Sequence, residues 1–194
     1  VAYNTKGDRL KTYEYYDQAL KLSIQQNDSL QKAYSNNNLG RLFYEQGSLL
    51  RAYDYFIEAL AMFENINDSS GLAYTYQSLA RLYKSQGDLV KAENHYLKAN
   101  KIRIALNQTP NLTSAFIQTA KFYQENNDHE KALRYFHLAD STANSIQDEI
   151  NLAEIKTFLA KSYLHRGQLK EAQEMCAEGL RVIVQKNNVR MQPQ

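Results

Sequence analysis

The stretch NNNLGRLFYEQGSLLRAYDYFIEAL, residues 36–60, decides how the whole chain is read. It holds two short amphipathic patterns parted at Gly47, and it recurs at a spacing of forty residues without a gap. The turn column reads Gly7, Gly47, Gly87, Asn127, Gly167. A small residue follows in the column Thr12, Ala52, Ala92, Ala132, Ala172, and a second in Ala19, Ala59, Ala99, Ala139, Gly179. Between the two lie Tyr16, Phe56, Tyr96 and Phe136, with Cys176 in the last copy. A fixed period of this size, with small and aromatic residues in phase, is the signature of a helical repeat array.

Composition agrees. The chain has only two prolines and seven glycines in 194 residues, four of the glycines at turn positions, so long windows remain for uninterrupted helices. The net charge of +2 with no Lys/Arg run argues against nucleic acid or an anionic membrane as the partner of this region. One cysteine excludes an internal disulfide framework and a thiolate-rich metal site. No apolar run approaches 18 residues, so no membrane span is expected. The chain lacks an initiating Met and begins inside a repeat, with Tyr3 and Gly7 as the tail of a first helix, which reads as a processed or excised piece.

From the capping and periodicity signals a single domain is expected over 1–187, with a partial repeat over 1–28, full repeats over 29–68, 69–108, 109–148 and 149–187, and a frayed tail over 188–194. The helices are expected at about 8–26, 30–46, 49–66, 70–86, 89–106, 129–146, 149–166 and 169–186. A further helix opens at Thr109-Pro110, with Thr109 as its cap and Pro110 in the first helical position. Asn27-Asp28-Ser29 and Asn67-Asp68-Ser69 read as turns that end one helix and cap the next.

The columns resemble the tetratricopeptide repeat. Its first helix places Leu-Gly or Leu-Ala before an aromatic, here Leu39-Gly40 with Phe43, Leu79-Ala80 with Tyr83, Ala120 with Tyr123 and Leu159-Ala160 with Tyr163. The family's usual spacing is about 34, and about forty also suits HEAT-type repeats, but the small-aromatic-small columns favour the tetratricopeptide repeat with longer helices. The family's frequent proline after the second helix is missing, so the turns between repeats must be made otherwise. The resemblance implies an all-α fold: a right-handed superhelical α-solenoid of stacked antiparallel helix pairs, about four full repeats plus a partial one. It also implies a concave groove lined by the first helix of each pair.

Within that groove the resemblance places the residue just after Leu-Gly, which here reads Arg41, Arg81, Lys121, Lys161. On the same face it expects Asn37, Gln77 and Thr157, then Tyr34 and Tyr74 below, and Tyr44, Lys84 and Gln124 above. Cations for carboxylates, amides for backbone hydrogen bonds and tyrosines for apolar contact suit an extended, acidic peptide. The competing reading is that these are solvated helix cations paired with Glu45, Glu125 or Glu154, though such exposed pairs contribute only about 0–1 kcal/mol. Some family members clamp a terminal carboxylate with Lys and Asn. Here the clamp asparagine positions carry Arg41 and Arg81, and the clamp lysine positions carry Asn37, Gln77 or Ile117, so that pattern is not matched.

Enzyme constellations are missing. His95, His129, His137 and His165 show no metal-ligand spacing, and His95 stands in a packing column with Tyr15, Tyr55, Tyr135 and Met175. Cys176 occupies a core column, where burial is expected to make it inert. No cofactor and no catalysis are expected. The apolar Val182-Ile183-Val184 in the last helix reads as a surface for self-association or for a continuing chain. The leading reading is therefore a non-catalytic protein-binding module. The alternative is the sensory or dimerising front end of a bacterial histidine kinase or membrane-tethered transcription regulator, since repeats rich in Tyr, Asn and Gln resemble those regions. Animal polarity scaffolds with similar repeats fit the composition less well. The compartment stays open between cytoplasm and periplasm.

Overall fold

The structure, a computed structural model, describes residues 9–190 and the side chains of 10–184. The expected stub with Tyr3 and Gly7, and the end of the tail over 191–194, lie outside the described residues. Among those described, every element is a helix: α1 Arg9–Gln25, α2 Ser29–Glu45, α3 Leu49–Asn65, α4 Ser69–Ser85, α5 Leu89–Ala105, α6 Thr109–Glu125, α7 His129–Ser145, α8 Glu149–His165 and α9 Leu169–Arg190. The fold is the all-α helical repeat. Helix α9 runs past the expected end at Lys186, and 188–190, expected in the frayed tail, are helical.

The period has a simple origin. Helices α2, α3 and α4 are each 17 residues long, as are α6, α7 and α8, and each is followed by a three-residue link. The middle residue of every link is left-handed: Asn27, Gly47, Asn67, Gly87, Asn107, Asn127, Gln147 and Gly167 have φ between 51° and 81°. Around it the N–H of the third link residue reaches back five positions to close the helix end. Examples are Asp28 to the Ser23 carbonyl at 2.9 Å, Ser48 to Phe43 at 2.9 Å and Asp148 to Ala143 at 3.0 Å. This is the Schellman closure, which satisfies carbonyls that the helix leaves without partners. The turns between repeats, lacking proline, are thus made by the same device as the turns within them.

Aspartates then start the next helices. Asp28, Asp68, Asp128 and Asp148 accept from the backbone N–H of Gln31, Ser70, Lys131 and Asn151, an N-cap contribution of typically about 1 kcal/mol each. The third repeat departs from expectation. Thr109 is itself the first helical residue, Gln108 is the cap, and Pro110 stands in the first turn, where its missing N–H costs nothing.

The chain divides into two compact units, Val1–Ile102 and Arg103–Gln194. In unit 1, α1 packs on α2, α2 on α3 and α3 on α4, while α2 also touches α4. Its core stripe on α3 is Ala52, Phe56, Ala59 and Phe63, all at most 1% exposed. The stripe follows the 3.6-residue turn. Gly40 permits the close approach: a Cβ there would lie 2.6 Å from the Phe56 ring and 3.2 Å from the Ala52 carbonyl oxygen. Phe43 stacks on Tyr55 at 5.4 Å.

Unit 2 repeats the arrangement with α6 on α7, α7 on α8, α8 on α9 and α6 touching α8. Ala132, Phe136, Ala139 and Ala143 form the α7 stripe, and Phe136 stacks on Phe158 at 5.2 Å. Lys156 of α8 bridges Asp140 of α7 at 3.0 Å and Glu178 of α9 at 2.7 Å. Burial would by itself lower the Lys156 ammonium, but its bonds to Glu178 and Asp140 outweigh that and leave its pKa raised. In α9 the core column changes character. Cys176 is exposed, not buried as its column suggests, whereas Phe136 of the same column is buried against Phe158. Val182 is half-buried, and Ile183 and Val184 are exposed.

Candidate functional site

The cation column lies on α2, α4, α6 and α8, each time one residue after the buried Leu-Gly, Leu-Ala or Thr-Ala pair. Successive helical residues are turned by about 100°, so Arg41 leaves the stripe that buries Leu39 and Gly40. Arg41, Arg81 and Lys121 are half-buried and Lys161 is exposed.

In unit 1 the two arginines are held by tyrosines of the neighbouring helix. Arg41 Nη1 on α2 donates to the hydroxyl of Tyr74 on α4, and the Arg81 guanidinium on α4 lies 5.1 Å from the centre of the Tyr44 ring on α2. The contacts are reciprocal, and the second has cation–π geometry. Lys84 stands one turn after Arg81, half-buried like Gln77.

Two predicted residues sit differently from the rest. Asn37, one turn before Arg41, is completely buried, with neither its amide nitrogen nor its amide oxygen bonded. Leaving such groups unpaired costs about 1–3 kcal/mol. Tyr34 turns its hydroxyl onto Asp68 Oδ2 at 3.0 Å and packs edge-on against Phe63 at 4.9 Å. It ties α2 to the cap of α4. Burial and the Asp68 bond push its phenol pKa up to about 12.

In unit 2 the column is handled another way. Lys121 Nζ pairs with Glu154 Oε1 at 2.7 Å and lies 4.5 Å from the centre of the Phe158 ring. Gln124 donates to Ser162 Oγ at 3.0 Å, and Thr157 donates to its own helix at Ala153. Lys161 has no ion pair or hydrogen bond among the described residues. Columns in the sequence found the cations and named Glu154 among their candidate partners, but nothing in them pointed to Phe158 or to the crossed tyrosine contacts of unit 1.

The histidines are placed as packing and surface groups. His95 lies against Tyr83 and Tyr76, with Nδ1 at 2.7 Å from the Lys91 carbonyl, and burial lowers its pKa. The His129 and His165 rings stack at 5.0 Å. His137 Nε2 is 3.0 Å from the Tyr163 hydroxyl. Among the described residues no group of three His, Cys, Asp or Glu could hold a metal ion, and no helix is long and apolar enough to cross a membrane.

Residues 1–194 match the family model of the MalT-like TPR region. Among solved structures, BtubC (BKLC) from P. vanneervenii is similar with a TM-score of 0.84 at 18% identity, over 97% of this chain and 78% of that one. Aspartyl phosphate phosphatase F from Bacillus subtilis is similar with a TM-score of 0.82 at 16% identity, over 94% of this chain and 49% of that one. The Signal Transduction ATPase with Numerous Domains protein with a tetratricopeptide repeat sensor from Pyrococcus horikoshii is similar with a TM-score of 0.76 at 18% identity. There the match covers 90% of this chain and 28% of that one. At such identities the likeness is one of fold. No curated protein matches the sequence.

Proposed function

We propose that this chain, which belongs to the MalT-like TPR region family, is a non-catalytic module that binds a protein or an extended, acidic peptide through its cation column. One observation carries the reading: Arg41 and Arg81 are half-buried and held by Tyr74 and Tyr44. Surface cations contribute little to stability, whereas a cation held against an aromatic presents both a charge and an apolar face to a ligand. The array is read as one domain over 1–187, and catalysis is assigned to no residue.

The test is charge reversal. Extended acidic peptides that bind the full chain are expected to do so less tightly as salt rises, and Arg81→Glu with Lys121→Glu should weaken them by at least about tenfold. Unchanged affinity in the doubly reversed, folded chain would falsify the cation column as the binding surface.

A second reading has its own support. The exposed Ile183 and Val184 on α9, together with the likeness to a signal-transduction ATPase described as carrying a tetratricopeptide repeat sensor, favour a sensory or dimerising region of a bacterial regulator. Its test is the open reading frame: a kinase, a membrane span or a helix-turn-helix segment encoded beside this sequence supports it, and a frame encoding none of these rejects it.

A further inference from the structure

Resting on the peptide-binding reading, we infer that an acidic side chain of the bound segment is recognised within unit 1, at the paired arginines Arg41 and Arg81, and not at Lys121. The two units carry the same column but differ in what opposes the charge. The residue 33 positions after the cation is Tyr74 for Arg41 and Glu154 for Lys121, and in both cases its oxygen accepts the cation's hydrogen bond. A tyrosine hydroxyl accepts the bond without cancelling the charge. A glutamate cancels it.

The remaining groups follow the same division. Arg81 is held by the Tyr44 ring, and Glu45, one turn beyond Arg41, acts on Arg41 as a through-space charge without an ion pair among the described residues. Arg41 gives one N–H to Tyr74, and a guanidinium has five, enough left for a two-pronged bond to a carboxylate. Asn37 on the same face of α2 adds a buried amide with both polar atoms unpaired. In unit 2 the equivalent positions are Ile117, which is buried and apolar, and Thr157, whose hydroxyl is bonded to its own helix. Lys161 is exposed and has no ion pair or ring contact among the described residues, and a hydrated ammonium of this kind contributes little to a contact.

The ligand chemistry is therefore an Asp or Glu side chain in an extended peptide. The full chain is probed with an array of acetylated, C-terminally amidated peptides, which removes terminal carboxylates, and the tightest binder is then compared with its Glu→Gln version. The selected binders should be rich in Asp or Glu. Arg41→Gln and Arg81→Gln should each weaken the acidic probe by roughly tenfold or more and leave the Gln version unchanged. Lys121→Gln should change the acidic probe by less than about twofold, and Glu154→Gln, which frees Lys121, should tighten it. Circular dichroism and melting temperature confirm that each variant is folded.

Equal losses from Lys121→Gln and Arg81→Gln would overturn the assignment while leaving peptide binding intact. So would arginine variants that weaken the acidic and Gln probes alike. If only peptides with a free C-terminus bind, the side-chain assignment is wrong and a terminal carboxylate is the ligand. If no peptide binds the wild-type chain, the peptide-binding reading falls and this assignment with it.

Discussion

Tyr34 and Tyr74 share one column and have been put to different uses. Tyr74 supports a cation, while Tyr34 locks α2 to the Asp68 cap and packs half-buried against Phe63. The difference carries a pH dependence. The Tyr34 pKa is about 12 in the fold against an ordinary value of 10.0, because burial and the Asp68 bond oppose the phenolate. The folded value lies above the unfolded one, so its contribution to stability is complete below pH 10 and is lost as pH rises through 12. The expected measurement is a tyrosine Cζ resonance that titrates well above the others and disappears in Tyr34→Phe. A Tyr34 resonance titrating at its ordinary value would contradict the buried Asp68 bond. The repeat spacing puts both tyrosines in one column, but which hydroxyl finds a carboxylate depends on a neighbouring helix.

At the scale of the element, the links explain why the repeat is forty residues long. Helix, link, helix, link is a twenty-residue step taken twice, and each link turns on one left-handed residue. Gly47, Gly87, Asn127 and Gly167 were legible as such from their column. Asn27 and Asn67 are legible too, as turns that end one helix and cap the next, whereas Asn107, followed by Gln108 and Thr109, carries no such Asn-Asp-Ser pattern. Gln147 is the least suited of the set, since a residue with a Cβ pays roughly 1–2 kcal/mol in the left-handed region and glutamine lacks asparagine's local hydrogen bonding. Gln147→Gly should therefore raise stability by about 0.5–1 kcal/mol, seen as a higher urea midpoint with an unchanged slope. A lower midpoint would mean that the glutamine side chain contributes something the turn geometry does not reveal. Cys176, exposed although its column is a core column, shows that a column by itself does not fix burial.

For the whole molecule the governing quantity is a net charge of +2. Long-range attraction to a polyanion scales with phosphates neutralised, and this chain sets 23 Lys and Arg against 21 Asp and Glu and pairs Lys121 internally. Duplex DNA at about 0.15 M salt is accordingly expected to bind more weakly than about 10⁻⁴ M, the loose end of non-specific binding. Fluorescence anisotropy with a labelled duplex checks this, and saturation at micromolar chain would show a basic surface that the column argument overlooked. Binding should instead be local, decided by a few side chains on the first helix of each pair.

The sequence by itself determined the helices, their length, their turns and the columns that pack. These rest on interactions within one helix or between helices adjacent along the chain, and each repeat restates them, so Ala52, Phe56 and Ala59 announce the core without a partner being known. Only the tertiary structure decided which cations keep their charge. Arg41 meets Tyr74 and Lys121 meets Glu154 across a pair of helices that are not consecutive. Such contacts depend on the reach and direction of two side chains from separate helices, which a column of like residues does not specify. Arg41 and Lys121 therefore read alike in the sequence and differ in the fold: one is an open cation on a tyrosine and the other an ammonium already answered by a carboxylate.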